Sequence, residues 1–415
     1  PSLEEYVSSK SKNNITGYFM QIGIDDFEEI NGRFGLKCGD EILKQFSSCM
    51  QSCINENQKI YELGNGRFMI MDLANHTKED ILELYDELKK SVEVALEENA
   101  YRMVYTISVG IVEIDKEMQD YDTLIKYSEF ALSEAKKKGK NSCYFFTQDK
   151  YKQFIRRREI RVELQNAVDH NFKNFDIYYQ PIIDIHTRNL IGAEALMRFK
   201  MKRNEQIEFV SPAEFISILE ESGLIIPAGR WILRQAVACC KKWQEFIPEF
   251  KMNVNLSYVQ IIKSRILDEI KQALKDYNLK PALLGIEVTE SGYLENTYHY
   301  KKLWSSLKEE GITLVLDDYG TGYSNAYRLS NLTPHYIKID RVLTQKALSS
   351  NYERSILIYI IEMAHSLKLN VCIEGVETEE ELQEIKKLNP DYIQGYLFGK
   401  PVPEDEFYNR QIKKK

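Results

Sequence analysis

A chain of 415 residues is too long for one ordinary hydrophobic core, so two domains are expected. With 43% hydrophobic and 28% charged residues the composition is globular, which excludes long disorder. The net charge of −8 is uneven: residues 1–150 hold 18 Lys+Arg against 27 Asp+Glu, the rest 37 against 36. Neither part has the basic field of a nucleic-acid polymer binder, so an anionic ligand needs a local site.

In chain order, YFMQIGI (18–24) reads as a strand and GDEILKQFSSCM (39–50) as a helix. KIYEL (59–63) and RFMIMDL (67–73) flank Gly64-Asn65-Gly66, whose tolerance of positive φ predicts a β-hairpin. A β-rich stretch (103–114) and an amphipathic helix ending in Lys and Gly (121–139) follow. This order predicts an α+β domain over 1–149, with helices on one face of a mostly antiparallel sheet. Residues 150–170 read as a connecting helix, with Arg156-Arg157-Arg158 on a solvated face.

From 171 to 415 strands and helices alternate. Strand candidates are 177–183, 191–197, 252–257, 284–289, 313–317, 336–340, 370–374 and 392–395. PAEFISILEESG and RSILIYIIEMAHSL are among the helical patterns between them. Such repetition predicts a (β/α)8-type, TIM-like barrel whose active site lies at the C-terminal strand ends.

Glu194, Asn255, Glu287, Asp317, Lys338, Glu374 and Gln394 are each expected near the end of a separate apolar strand, and Asp318 follows Asp317. A barrel gathers those ends at one mouth, where packed carboxylates repel unless protonated or neutralised. All the candidate ligands are oxygen donors, and none of the six histidines matches a strand end. That selects Mg2+ or Mn2+ over Zn2+, and adjacent Asp317 and Asp318 suit a two-metal centre for in-line phosphoester attack. Gly320 and Gly322, within DYGTGYS (318–324), permit tight backbone turns beside a ligand.

These residues fall in a sequence that resembles the EAL family of cyclic di-GMP phosphodiesterases from about 175 to 404. The signature is Glu194-Ala195-Leu196 within EALMR, preceded by YQPI (179–182). In order follow SPAEFI (211–216), NVNLS (253–257), IEVTE (286–290), DDYGTGYS (317–324), IKID (337–340), EGVET (374–378) and QGYLFGKP (394–401). The resemblance implies a first metal held by Glu194, Asn255, Glu287 and Asp317. It implies a second held by Asp317 and Asp318, with Glu374 near it or acting as base on the attacking water. Lys338 would orient that water, and Gln394 would join the same shell. Arg198 would grip a phosphate, Gln180, Leu196 and Pro401 would contact substrate, and Glu290 and Glu377 would support the loop carrying the paired Asp. The implied product is linear pGpG.

Residues 16–147 resemble the GGDEF family of diguanylate cyclases through IDDFEEINGRFGLKCGDEIL (24–43), ISVGI (107–111) and ALSEAKKKGKNSCYFF (131–146). Here Gly66 and Arg67 replace the two acids of the signature, and Gly23 replaces another metal-binding Asp, so the domain is expected to be degenerate. Asn31 and Asp40 match the guanine-contacting pair and leave GTP binding open beside a purely structural reading, a loop cap and a helix start. The RxxD product-inhibition positions hold Asn55 and Gln58.

The expectation is thus a regulatory or dimerisation module joined to an active phosphodiesterase, with a homodimer implied by the resemblance. The alternative is a non-enzymatic cyclic di-GMP receptor that signals to a protein partner. Seven cysteines without a CxxC pair, no apolar run near the ~20 residues of a membrane span, and no signal peptide fit a cytoplasmic location. A start at Pro1 leaves room for an upstream sensor or anchor.

Overall fold

The computed structural model describes residues 16–72, 76–97, 105–114, 120–203, 205–289, 297–320 and 334–413. Glu290 and the 321–324 part of the glycine-rich motif lie outside them. The chain divides into two compact units, Pro1–Arg156 and Arg157–Lys415. The division falls inside one helix, Gln148–Asp169. Its first half packs Tyr151 and Phe154 against Phe130, whereas Ile160, Leu164 and Ala167 are buried in the second core.

In the first unit the strands are β1 (Gly17–Ile24), β2 (Gln58–Gly64), β3 (Arg67–Asp72), β4 (Ile107–Ile114) and β5 (Cys143–Phe145). The sheet order is β2-β3-β1-β4-β5, antiparallel except for β4 with β5. Helices α1 (Phe27–Phe34), α2 (Leu36–Cys53), α3 (Lys78–Glu97) and α4 (Tyr121–Lys137) complete it. The expectation of helices on one face is corrected. Met20 and Ile22 share a core with Ile42, Phe46 and Leu88 of α2 and α3, while Phe19 packs with Met69, Val112 and Leu124 under α4. All eight residues of β1 are buried, as a strand covered on both faces requires.

The second unit contains β6 (Phe175–Asp184), β7 (Leu190–Arg203), β8 (Gln206–Val210), β9 (Lys251–Asn255), β10 (Leu284–Thr289), β11 (Thr313–Tyr319), β12 (Tyr336–Ile339), β13 (Asn370–Glu374), β14 (Tyr392–Gln394) and β15 (Val402–Pro403). Pairing in the order β6-β14-β13-β12-β11-β10-β9-β7, with β6 also bonded to β7, closes an eight-stranded barrel. β6 runs antiparallel to both neighbours, and the other contacts of the ring are parallel. This is the expected barrel with its first strand reversed. A further difference lies in β7, which continues past Met197 because Phe199–Arg203 pair with β8 as a hairpin. Glu194 is therefore near the start of its strand rather than the end, and its level is set by its neighbours Gln180 and Asn253.

The short helix Glu404–Phe407 packs on the barrel chiefly through Phe407. Phe407 is fully buried and stacks on Trp243 with centroids 4.6 Å apart, with Tyr179 and Phe250 at its edges. Phe407→Ala should destabilise the protein by about 3–5 kcal/mol, read from denaturant midpoints. A loss below about 1 kcal/mol would mean that this segment is not part of the core.

Candidate active site

Along β9 to β13 alternate side chains point into the barrel, and near the mouth the apolar sequence gives way to polar groups. The register aligns Asn255 with Glu287 and Glu374 with Gln394. On β11 the pairing with β12 jumps from Leu316 to Tyr319, so Asp317 and Asp318 together oppose Lys338. This bulge is accompanied by a left-handed Asp318, φ 56°, whose N–H donates to Asp317 Oδ1 at 2.9 Å. An extra residue in one strand is how a ladder re-aims a side chain at a site.

Lys338 is the centre of the cluster. Its Nζ lies 2.8 Å from Glu194 Oε2, 3.0 Å from Glu287 Oε2, 3.5 Å from Asp317 Oδ1 and 2.7 Å from Glu374 Oε1. One ammonium thus faces four carboxylates where the side chain of Lys338 is 1% exposed. Burial alone would lower its pKa, but Asp317, Glu194, Glu287 and Glu374 hold it well above the ordinary lysine value. The acids do not share the benefit equally. Burial pushes Glu194 up, yet Lys338, Gln394 and Asn255 outweigh this and hold it below the usual carboxylate range. Burial and Glu194 drive Glu287 well above that range, and burial leads in raising Asp317 and in taking Glu374 to about 8. Asp318 rises to about 6 through burial and the adjacent Asp317.

Amides extend the network. Asn255 Nδ2 donates to Glu194 Oε1 at 2.6 Å. Gln394 Nε2 donates to Glu194 Oε2 at 2.8 Å and to Gln180 Oε1 at 3.1 Å. Gln394 Oε1 is buried without a hydrogen-bond partner. Oxygen atoms of Glu194, Glu287 and Asp317 lie within 4.8 Å of one another. Oxygen-only donors, uncompensated negative charge and an orphaned carbonyl oxygen fit a hard divalent cation.

Beside the cluster a cavity of about 680 Å3 is lined by Leu196, Arg198, Ile216, Glu220, Asn255 and Ser257, among others. Arg198 lies 5.4 Å from the Tyr178 ring and donates to the Met197 carbonyl. Pro401 is not among the lining residues; it lies two residues after Gly399, whose carbonyl accepts from Gln180 Nε2 at 3.5 Å. Glu377 pairs with Arg341 at 2.7 Å, so within the described residues it braces the start of the helix Arg341–Ser349.

Two residues escaped the sequence reading. Asn253 Nδ2 donates to Glu287 Oε1 at 2.6 Å and also meets the hydroxyl of buried Tyr336. Gly285 makes this possible, since a Cβ there would stand 2.1 Å from Asn253 Oδ1. The available signal was position: Asn253 is two residues before Asn255 on one strand and so points to the same side.

In the first unit Asn65 and Gly66 have φ of 53° and 71°, forming the expected hairpin turn. A Cβ at Gly66 would sit 2.7 Å from the Phe27 ring, and one at Gly23 would sit 3.1 Å from Lys136 Nζ. Arg67 lies 3.5 Å from Glu129. Asn31 packs its amide over Gly39, and Asp40 is exposed in the first turns of α2. Gln58 bonds Asp72 and the Asn55 backbone, both contacts being local to the fold. At this turn Gly66 and Arg67 themselves bring no carboxylate. All seven cysteines are free thiols, and no described helix is long and apolar enough to cross a membrane.

Comparison with known proteins places this geometry. The EAL domain family model matches residues 161–401, and the diguanylate cyclase GGDEF domain model matches residues 1–142. The chain belongs to the EAL family and carries a GGDEF domain ahead of the barrel. It is 30% identical over 391 residues to the signaling protein YkoW of Bacillus subtilis, covering 93% of this chain and 48% of that protein. It is 29% identical over 421 residues to the cyclic di-GMP phosphodiesterase PdeR of Escherichia coli, covering 99% and 62%. The chain thus spans about half to three-fifths of these curated relatives. Among solved structures, the PaMucR phosphodiesterase in complex with c-di-GMP is 28% identical, with a TM-score of 0.56, covering 60% of this chain and 99% of that one.

Two predictions follow from the charge imbalance. Glu374 and Asp318 have folded pKa values above their unfolded ones, so their contribution to stability is present at low pH and lost as pH rises from about 4 to about 8. In chelator, unfolding free energy should fall between about pH 5.5 and about pH 8, by roughly 2–4 kcal/mol, and saturating Mn2+ should remove the fall. A flat profile in chelator would show the cluster to be balanced without a cation. Separately, Asn253→Leu should cost about 1–3 kcal/mol by leaving Glu287 with one partner, and should weaken Mn2+ binding about tenfold in a calorimetric titration. Unchanged metal affinity would remove Asn253 from the site.

Proposed function

We propose that the barrel is a metal-dependent phosphodiesterase that opens cyclic di-GMP to linear pGpG. The observation that carries this reading is the cluster of four carboxylates around Lys338, next to a cavity that holds Arg198. Similarity to a protein named as a cyclic di-GMP phosphodiesterase, and to one solved with c-di-GMP, supports the choice of substrate.

Glu194, Asn255, Glu287 and Asp317 would hold one Mg2+ or Mn2+; Asp317 and Asp318 would hold a second, with Glu374 beside it. Such ions, when bound, supply charge neutralisation and a lowered pKa for the attacking water. Arg198 takes a phosphate oxygen, while Leu196, Gln180, Gln394 and Pro401 bound the ligand. Lys338 stays cationic and fixes the orientation of Glu194 and Glu374 by direct hydrogen bonds. With the charge of the cations beside it Glu374 would be ionised, and it accepts the proton of the attacking water as the water's oxygen bonds to phosphorus. The opposite P–O3′ bond breaks, the leaving oxygen takes a proton from solvent, and Glu374 returns its own to solvent, so one water is consumed per pGpG formed. Glu377, and Glu290 outside the described residues, support the loops around the paired Asp.

The first domain, lacking carboxylates at Gly23, Gly66 and Arg67, makes no cyclic di-GMP and serves as a regulatory or dimerisation module. Asn31 and Asp40 are its candidate GTP-reading pair.

Incubation of the whole chain with cyclic di-GMP and Mn2+, followed by product separation, should give pGpG, and excess chelator should stop the reaction. Full activity in chelator would end the metal mechanism. Glu374→Gln and Lys338→Ala should each lower turnover about a hundredfold or more while ligand binding survives. Near-normal turnover in either variant would overturn these roles, and a parent chain that binds without turnover would make the barrel a receptor.

A further inference from the structure

Glu374 ends β13, and residues 375–378 after it have no regular secondary structure. A carboxylate that takes a proton from water has to be held to within about 0.5 Å, which a loop does only when other groups fasten it. Two elements fasten this one. Glu381, in the following helix Glu379–Lys386, accepts with Oε2 from the backbone N–H of Glu377 at 2.6 Å and of Thr378 at 3.3 Å. The other is the unit formed by β12 and the helix Arg341–Ser349, joined at Asp340, whose Oδ1 accepts from the Val342 N–H at 2.7 Å. From that helix Gln345 Nε2 donates to the Gly375 carbonyl at 2.9 Å and to Glu381 Oε1 at 3.3 Å. Both neighbours are acceptors, so the nitrogen end of the amide is the end that faces them.

Gly375 lets the helix come this close. Its φ is 79°, and a Cβ there would stand 2.3 Å from Arg341 Cγ. Its own N–H donates to the Gln394 carbonyl at 2.9 Å, so both polar groups of the residue are held. Gln345 is half-buried, whereas the Arg341–Glu377 ion pair beside it has side chains 55% and 37% exposed and contributes little. The neutral amide is therefore the stronger tie from this helix.

We infer that Gln345 is a positioning residue for the reaction, fixing the peptide after Glu374 to the same unit that carries Lys338. Lys338 Nζ holds the Glu374 carboxylate at 2.7 Å, and Gln345 holds the carbonyl of the next residue. β12 and its helix thus grip Glu374 by side chain and by backbone, which keeps base and ammonium in one geometry. This role rests on Glu374 being the base that accepts the water's proton. Gln345 does not line the ligand cavity, so its loss acts on turnover and not on affinity.

The test pairs two measurements on the full chain: amide hydrogen exchange of residues 374–378 in chelator, and turnover of cyclic di-GMP with Mn2+. Gln345→Leu should speed exchange in that segment about fivefold and lower kcat about tenfold, with KM within about twofold of the parent. Gln345→Asn, one methylene too short to reach, should do the same, and Gln345→Lys, which keeps an N–H donor, should restore most of both. Unchanged exchange or unchanged kcat in the Leu and Asn variants would overturn the inference. So would an effect on KM alone, faster exchange throughout the barrel, or no recovery with Lys. A parent that binds without turnover would end the phosphodiesterase reading, and exchange alone would then decide whether Gln345 ties the loop.

Discussion

One ammonium cannot balance four carboxylates crowded around it in a largely buried site. The arrangement of the barrel's polar residues follows from that constraint. Glu194 keeps its charge because it has Lys338, Gln394 and Asn255 around it, while Glu287, deeper and with Asp317 and Glu194 against it, is pushed toward its neutral form. The support beneath continues the same logic: Asn253 satisfies the second oxygen of Glu287, Tyr336 lies under Asn253, and Gly285 leaves the room. Removing one partner from such a network exposes an uncompensated buried charge, which costs more than the pair contributes. The cluster is therefore unfavourable for an empty barrel and favourable for one that takes up cations.

The two domains treat the same electrostatic problem in opposite ways. The barrel concentrates acids and keeps a single base among them. In the first domain, the corner of β1 and β3 has no acid at Gly23, Gly66 or Arg67, and Lys136 stands where one would be. Phe27 packed against Gly66 means that an acid there would need the core to move, so the loss is built into the packing as well as the sequence.

Much of the barrel was legible because parallel strands buried on both faces make apolar runs, and a polar residue near the end of one is conspicuous. That is how Asn255, Glu287, Asp317, Lys338, Glu374 and Gln394 could be marked as converging. Glu194 was picked out with its strand misjudged, because the β7–β8 hairpin depends on pairing between Phe199–Arg203 and Gln206–Val210, which periodicity does not reveal. Asn253 and Tyr336 were hidden for another reason. Each reads as one more strand residue, and its role exists only through contacts with neighbouring strands. The same limit concealed the second covered face of β1, since a continuous apolar run does not say which helices cover it. The bulge at Asp317-Asp318 is likewise a property of pairing, invisible until Lys338 is seen opposite both.

The central claim is that the buried charge imbalance is a place for divalent metal. It is tested most directly by counting ions: titrating the chelator-treated, full-length chain with Mn2+ and following free Mn2+ by electron paramagnetic resonance. The account predicts saturable uptake of two ions per chain, and loss of that uptake in Asp317→Asn, the residue proposed as a ligand of both ions. A parent chain that shows no saturable uptake, or an Asp317→Asn variant that binds Mn2+ as well as the parent, would contradict it.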